Sequence, residues 1–276
     1  MTPIFDFAAA ASAQARALRL GGDRFLFAAA AEGAADRLSA VTRRFRHGLW
    51  IGDSIPETLR SMAEIWSLAR FDAMEQLQAP SGDYDVAVSL YSLQAVNDLP
   101  GALAQIRRVL LPDGLFVAAL LGGGTLTELR DAFAHAESLT RGGISPRVSP
   151  FADVRDLGSL LSRAGFALPV ADVERLTVRY GDFFALARDL RAHGFTNVMT
   201  ARSRQPLRRD TLAAMLAHYA DAHGDDGRLK ASFETIFLTG WTPHASQQQP
   251  LRPGSARARL ADALGTEEMP AGEKPG

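Results

Sequence analysis

Asp53 and Asp72 are the acidic side chains nearest the ends of expected strands. Ribose hydroxyls or an adenine amine are held at such ends, although a helix cap or turn needs an aspartate just as much. Gly52 is the single glycine of the first strand-to-helix turn. A turn that cradles a nucleotide cofactor normally uses several, because only glycine lets backbone and ligand approach closely. Gly122-Gly123-Gly124 leaves free amides ahead of a helix, which suit either an anion or a flexible turn. His47, His135, His193, His218, His223 and His244 are dispersed, and His218 and His223 stand five apart, off a single helix face. No metal site is expected from that spacing. There is no G-x-S-x-G elbow, no Walker-type loop and no obvious general base. Transfer from an activated cofactor fits such a set better than hydrolysis.

The elements that must position these residues centre on Asp83 to Gly124. Val86-Ala87-Val88-Ser89-Leu90 is a short apolar run of the kind a parallel sheet buries on both faces. Asp98 and Pro100 start a helix whose Leu103, Ile106, Val109 and Leu110 share one face. Pro112-Asp113-Gly114 ends it, and Leu115 to Leu121 is the next strand. Strand, helix and strand in about forty residues make a right-handed parallel crossover, with a nucleotide-type site at the strands' carboxyl ends.

Upstream, residues 4–20 and 23–40 read as two helices split by Gly21-Gly22, with Asp23 able to cap the second. Such alanine-rich helices cover a sheet face or the mouth of a site, plain packing being the simpler reading. Arg46 to Asp53 is the first strand, and Ser54 to Trp66 a helix opened by a Ser54/Glu57 capping box. Only about thirty residues separate Gly52 from Asp85, so one strand-helix unit of a doubly wound sheet is missing or vestigial. Thr125 and Glu128 form a second capping box, for a helix to about Thr140. A helix begins near Asp153, a strand follows over Val170–Tyr180, helices over Asp182–His193 and Arg208–His223, and a last strand over Ala231–Trp241. Disorder is expected from about Leu264. The domain layout is therefore an N-terminal helical cap over 1–44, an α/β domain over 45–245 and a tail over 246–276.

Composition excludes several classes. The formal net charge of −1, with scattered arginines, makes no case for nucleic acid. Absence of cysteine removes disulfides, thiolate metal sites and a cysteine nucleophile. No apolar run is long enough for a membrane span, and the opening segment lacks the basic start of a signal peptide. A soluble cytoplasmic protein is expected.

From about Asp85 to Leu264 the chain resembles the class I S-adenosylmethionine-dependent methyltransferase-like family that includes the respiratory complex I assembly methyltransferase. The residues that carry the likeness are VSLYSLQAVNDLPGALAQIRRVLLPDGLF, GGGTLTELRDAFAHAE, GGISPRVSPFADVRDLGSLLSRAGFALPVADVERLTVRY and FETIFLTGWTPHASQQQPLRPGSA. A more distant likeness, confined to the cofactor domain, is to the biotin-pathway malonyl-carrier methyltransferase. The resemblance implies a doubly wound, mostly parallel Rossmann-like sheet, S-adenosylmethionine as cofactor and a protein or carrier-bound substrate connected with complex I assembly. Members have been linked to methyl transfer and, in one branch, to hydroxylation of a protein arginine.

Carried over by residue, the family's D-L-G-C-G-x-G motif falls on Trp50 to Pro56, where only Gly52 survives. The acid ending the family's second strand has no counterpart in the shortened interval. The adenine-side motif is similar to Phe71 to Leu77, which makes Asp72 the best carried-over contact. The S-x-L-S-L-H-W-V-N-D-L motif falls on Ser89 to Leu99, with Gln94 where the family has His and Ala95 where it has Trp. Gly52, Asp53, Asp72, Ser89, Leu90 and Gln94 are thus the candidate cofactor residues. Each lost charge-assisted contact is worth about 1.5–3 kcal/mol, so losing two or three weakens cofactor binding roughly a hundredfold. The alternative is a catalytically inactive binding or assembly module on the same fold.

Overall fold

The structure is a computed structural model that describes residues 3–80, 82–248 and 265. The chain divides into two units, Met1–Pro243 and His244–Gly276. In the second, His244–Gln248 closes a local turn in which the Ser246 amide donates to His244 Nδ1 at 3.2 Å. The disorder expected from about Leu264 falls, Gly265 aside, outside the described residues.

The first unit runs α1 (Phe7–Leu20), α2 (Phe25–Ser39), β1 (Phe45–Ile51), α3 (Glu57–Arg60), β2 (Ala63–Phe71), β3 (Leu77–Gln78) and β4 (Tyr84–Leu90). It continues α4 (Leu99–Val109), β5 (Leu110–Leu121), α5 (Thr127–Arg141), α6 (Val154–Arg163) and β6 (Ala167–Tyr180). It closes with α7 (Phe183–Ala192), α8 (Arg209–His223), β7 (Gly224–Asp225) and β8 (Arg228–Trp241). The sheet order is β3-β2-β1-β4-β5-β8-β6, with β7 paired to β8. The ladders β2–β1, β1–β4 and β4–β5 are parallel, while β8 runs antiparallel to both β5 and β6. This is the doubly wound, mostly parallel sheet that the sequence led one to expect.

The crossover at its centre follows local signals. Asp98 caps α4 by accepting from the Gly101 amide at 2.9 Å, with proline in the first turn. Every residue of β4 is buried, as a strand covered on both faces must be. Val86, Val88 and Leu90 pack with α2, α5 and α8, and Ala87 packs toward α4 and α6. The buried carboxylate of Asp85 accepts from the Arg46 and His47 amides at 2.7 and 3.0 Å, tying β4 to the start of β1.

The interval before β4 departs from the sequence reading. The helix expected over Ser54–Trp66 is one turn, α3, that starts after Pro56 without a side-chain cap. Ala63–Phe71 is instead the parallel second strand, paired with β1 from Phe45↔Ala63 to Ile51↔Ala69. Gly48 makes this docking possible: a Cβ there would meet the Trp66 ring at 2.5 Å. Cross-strand packing therefore overrides local preference. The second strand is present after all, and Asp72 directly follows it; what has shrunk is the third strand, now two antiparallel residues.

Three expected caps also fail. Asp23 does not cap α2, whose N-cap is Arg24. Ser54 caps nothing, and α5 starts from a left-handed Leu126 instead of a Thr125/Glu128 box. Thr125 Oγ1 accepts from the Glu234 amide at 3.0 Å, and Glu128 accepts from Ser232 N and Oγ at 3.1 and 2.5 Å. Both side chains are spent on fastening α5 to β8.

Candidate active site

A cavity of about 710 Å³ lies at the carboxyl ends of β1, β2, β4 and β5. Its size is that of a typical small-ligand site. Ile51-Gly52-Asp53, Arg70-Phe71, Leu90-Tyr91-Ser92 and Leu121 form its floor, and Phe7, Ala10, Ala11 and Gln14 of α1 form part of its wall. Phe133, Phe183, Leu190 and Phe195 make the opposite side apolar. The chain before α1 is strapped down by Asn97, which accepts from the Phe5 amide at 2.8 Å and donates to its carbonyl at 3.2 Å.

The structure brings Gly52, Asp53, Leu90 and Gln94 to this cavity, while Ser89 and Asp72 do not line it. The Gly52 amide donates to Ala69 O at 3.0 Å, within the β1–β2 ladder. Asp53 accepts from Gln14 Nε2 at 2.9 Å and pairs with Arg70 at 2.7 Å. Gln94 Oε1 accepts from the Leu121 amide at 2.7 Å, pinning the loop after β4 to the end of β5. The Asp72 carboxylate folds back on its own turn, accepting from the Met74 and Gln76 amides, both at 2.9 Å, and from Gln78 Nε2 at 2.7 Å. Ser89 is fully buried in β4.

Glu75, missed in the sequence, is the cavity's other acid. Burial alone would raise its pKa, but the Asn97 and Asp98 amides and the Asn97 side chain outweigh it and leave the net shift downward. Its charge is thereby spent on holding the loop before α4. The Tyr91 hydroxyl, 2.8 Å from Thr235 Oγ1, is pushed up to about 12 by burial, so it stays protonated at neutral pH. His193 is buried and lowered in pKa, first by burial. Its Nε2 accepts from the Leu26 amide at 3.2 Å and its Nδ1 faces Asp189 O at 2.8 Å, the pattern of a neutral, packed imidazole.

Beside the β1 turn is a second cavity of about 370 Å³, lined by Arg24, Trp50, Ser54 and Ser92 among others. Arg24 Nε and Nη2 and Trp50 Nε1 are buried there without a hydrogen-bond partner. The Arg24 guanidinium lies 3.8 Å over the Phe27 ring. Burial lowers its pKa and the Asp53 charge opposes that, but an arginine still remains a cation. Three unmet donors, two of them on a cation, form an anion-receptive corner. No spacing rule links Arg24 to Trp50, so the corner is visible only in three dimensions.

Residues 33–169 match the family described as a methyltransferase domain. Over 184 residues the chain is 42% identical to the mitochondrial arginine-hydroxylase NDUFAF5 of Dictyostelium discoideum, covering 66% of this chain and 42% of the relative. The Danio rerio counterpart is 41% identical over 189 residues, which is 68% of this chain and 59% of that protein. A malonyl-[acyl-carrier protein] O-methyltransferase of Laribacter hongkongensis is 40% identical over 181 residues, covering 66% of this chain and 59% of that one. Sheet order and domain match together make residues 33–169 part of an S-adenosylmethionine-dependent methyltransferase domain. The chain spans between 42% and 59% of the length of these three relatives. Among the described residues no helix is long and apolar enough to cross a membrane.

Proposed function

We propose that the chain binds S-adenosylmethionine and acts on a protein or carrier-bound substrate. The observation that carries this reading is the pair of adjoining cavities at the carboxyl end of β1, one ending in the unmet donors of Arg24 and Trp50. A methionine carboxylate is the anion such donors suit, and the larger cavity has room for a nucleoside. When bound, the cofactor supplies an electrophilic methyl on a sulfonium. The chain's own part is to hold the carboxylate through Arg24 and Trp50, to set Asp53 at the β1 turn and to keep water out with the phenylalanine wall. Of the relatives' names, the malonyl-[acyl-carrier protein] O-methyltransferase names a group carried on another protein. A role connected with respiratory complex I and a cytoplasmic location are carried into the proposal from the family resemblance and the composition.

A second reading, the inactive binding or assembly module, draws on a different observation. Asp53 and Glu75 are both engaged by protein donors, and Tyr91 is protonated, which leaves the cavity without a free base. Isothermal titration with S-adenosylmethionine and its demethylated product tests the main proposal. Dissociation constants in the low micromolar range support it; no heat at millimolar ligand sinks it. Tight binding of the product without methylation of any protein in a host extract selects the second reading.

A further inference from the structure

Away from the cavity, α5 and α8 carry a side-chain cluster that the histidine spacing did not foretell. His218 Nε2 and His223 Nε2 both lie 2.8 Å from one oxygen, Asp131 Oδ2. The three candidate ligand atoms fall within 4.8 Å of one another. His218 and His223 are five apart on α8, but His223 is its last residue, so its ring can turn back to meet His218 over Asp131. The His218 and His223 rings stand at 82° to each other, so their nitrogens converge from different directions. The His135 ring stacks on His218 at 3.9 Å and 9°, which fixes the ring plane of that ligand. No arginine or lysine pairs with Asp131 among the described residues.

We propose that Asp131, His218 and His223 form a zinc site that clamps α5 to α8. Two imidazoles and a carboxylate are a borderline donor set that suits Zn²⁺, and three protein ligands leave a fourth position to water. With bonds of about 2.0–2.1 Å, tetrahedral ligand atoms stand about 3.4 Å apart, so the 2.8 Å contacts need open by only about half an ångström to admit the ion. The ion takes the place of the two hydrogen bonds to Asp131 Oδ2, each imidazole turning an Nε2 lone pair to it with the hydrogen on Nδ1. The clamp joins the helix whose Phe133 lines the cavity to the helix whose Met215 and Tyr219 sit in the core.

Titration of the tag-free full chain with Zn²⁺, followed by calorimetry and thermal melting, tests the site. The expected result is one ion per chain at micromolar affinity or better, a raised Tm and no competition from Mg²⁺. Asp131→Ala and His223→Ala should each weaken binding at least tenfold, with His244→Ala unchanged. Asp131→Asn serves as the conservative variant if Asp131→Ala fails to fold. Absence of binding at a tenfold excess of Zn²⁺, or binding that survives both Asp131→Asn and His223→Ala, overturns the proposal.

Discussion

Arg70 Nη2 meets Asp53 Oδ1 at 2.7 Å, joining the end of β2 to the turn after β1 at the cavity floor. A cation near the end of the second strand thus faces an acid of the first turn. Arg70 is largely exposed, so the pair adds at most about 1 kcal/mol to stability. Asp53→Ala should therefore shift Tm by little while weakening S-adenosylmethionine binding at least tenfold. Calorimetry beside thermal melting checks both halves, and unchanged affinity would remove Asp53 from the site.

Arg24 makes the opposite trade. Its Nε and Nη2 are buried and unmet, so the folded protein bears a desolvation penalty that the Asp53 charge and the Phe27 ring offset only in part. Arg24→Met should keep the packing on Phe27, raise stability by up to about 1 kcal/mol and weaken cofactor binding about tenfold to a hundredfold. Urea unfolding and ligand titration on the same variant read the two effects. A variant that is less stable yet binds as before would assign Arg24 a purely structural role.

Glu137 holds the loop after α5 with a fully buried carboxylate. Burial would raise its pKa, but the Ser145 amide and hydroxyl, at 2.6 and 2.7 Å, and Arg147, at 2.6 Å, outweigh that and leave it lowered. A lowered folded-state pKa adds stability above the unfolded value of about 4.3 and loses it as pH falls through the folded value. Glu137→Gln leaves Arg147 without its counter-charge and should cost about 3 kcal/mol at pH 7. Denaturant unfolding from pH 8 to 3 should show that deficit constant above about pH 5.5 and shrinking below about 4.3. A deficit that grows in acid would contradict the assignment.

What was legible in the sequence was what is locally encoded. Asp98 and Pro100 start α4 with their own side chains, and the β4 run is apolar throughout, so the central crossover could be read directly. β2 could not, because Ala63–Phe71 lacks clean alternation and becomes a strand only through its register on β1 and the fit of Trp66 over Gly48. Thr125 and Glu128 have the spacing of a capping box, yet β8 offers them better partners more than a hundred residues away. The same holds for the sites. Gly52, Asp53 and Gln94 reach the cavity from motif positions, whereas Arg24 meets Trp50, and Asp131 meets His218, only through the fold.

Gly33 tests whether α2 is a fixed wall of the fold. It sits in the middle of that helix, where alanine would ordinarily gain about 1 kcal/mol in helix propensity. Here an added Cβ would fall 2.6 Å from Cζ of the buried Phe237 and 3.1 Å from the Arg37 guanidinium. That guanidinium lies 3.6 Å over the Phe237 ring and pairs with Asp172 and Glu174 of β6, so the helix has little room to shift. Overpacking at such a contact costs about 1–3 kcal/mol, enough to outweigh the propensity gain. Gly33→Ala should therefore lower stability by about 1–2 kcal/mol in urea unfolding, with far-UV helicity retained. Gly33→Ala combined with Phe237→Leu should recover part of the loss, because the two changes share one contact and cannot be additive. If the single variant is as stable as the parent, α2 rides loosely on the sheet, and Arg24 at its start loses the rigid mounting that the anion-receptive corner requires.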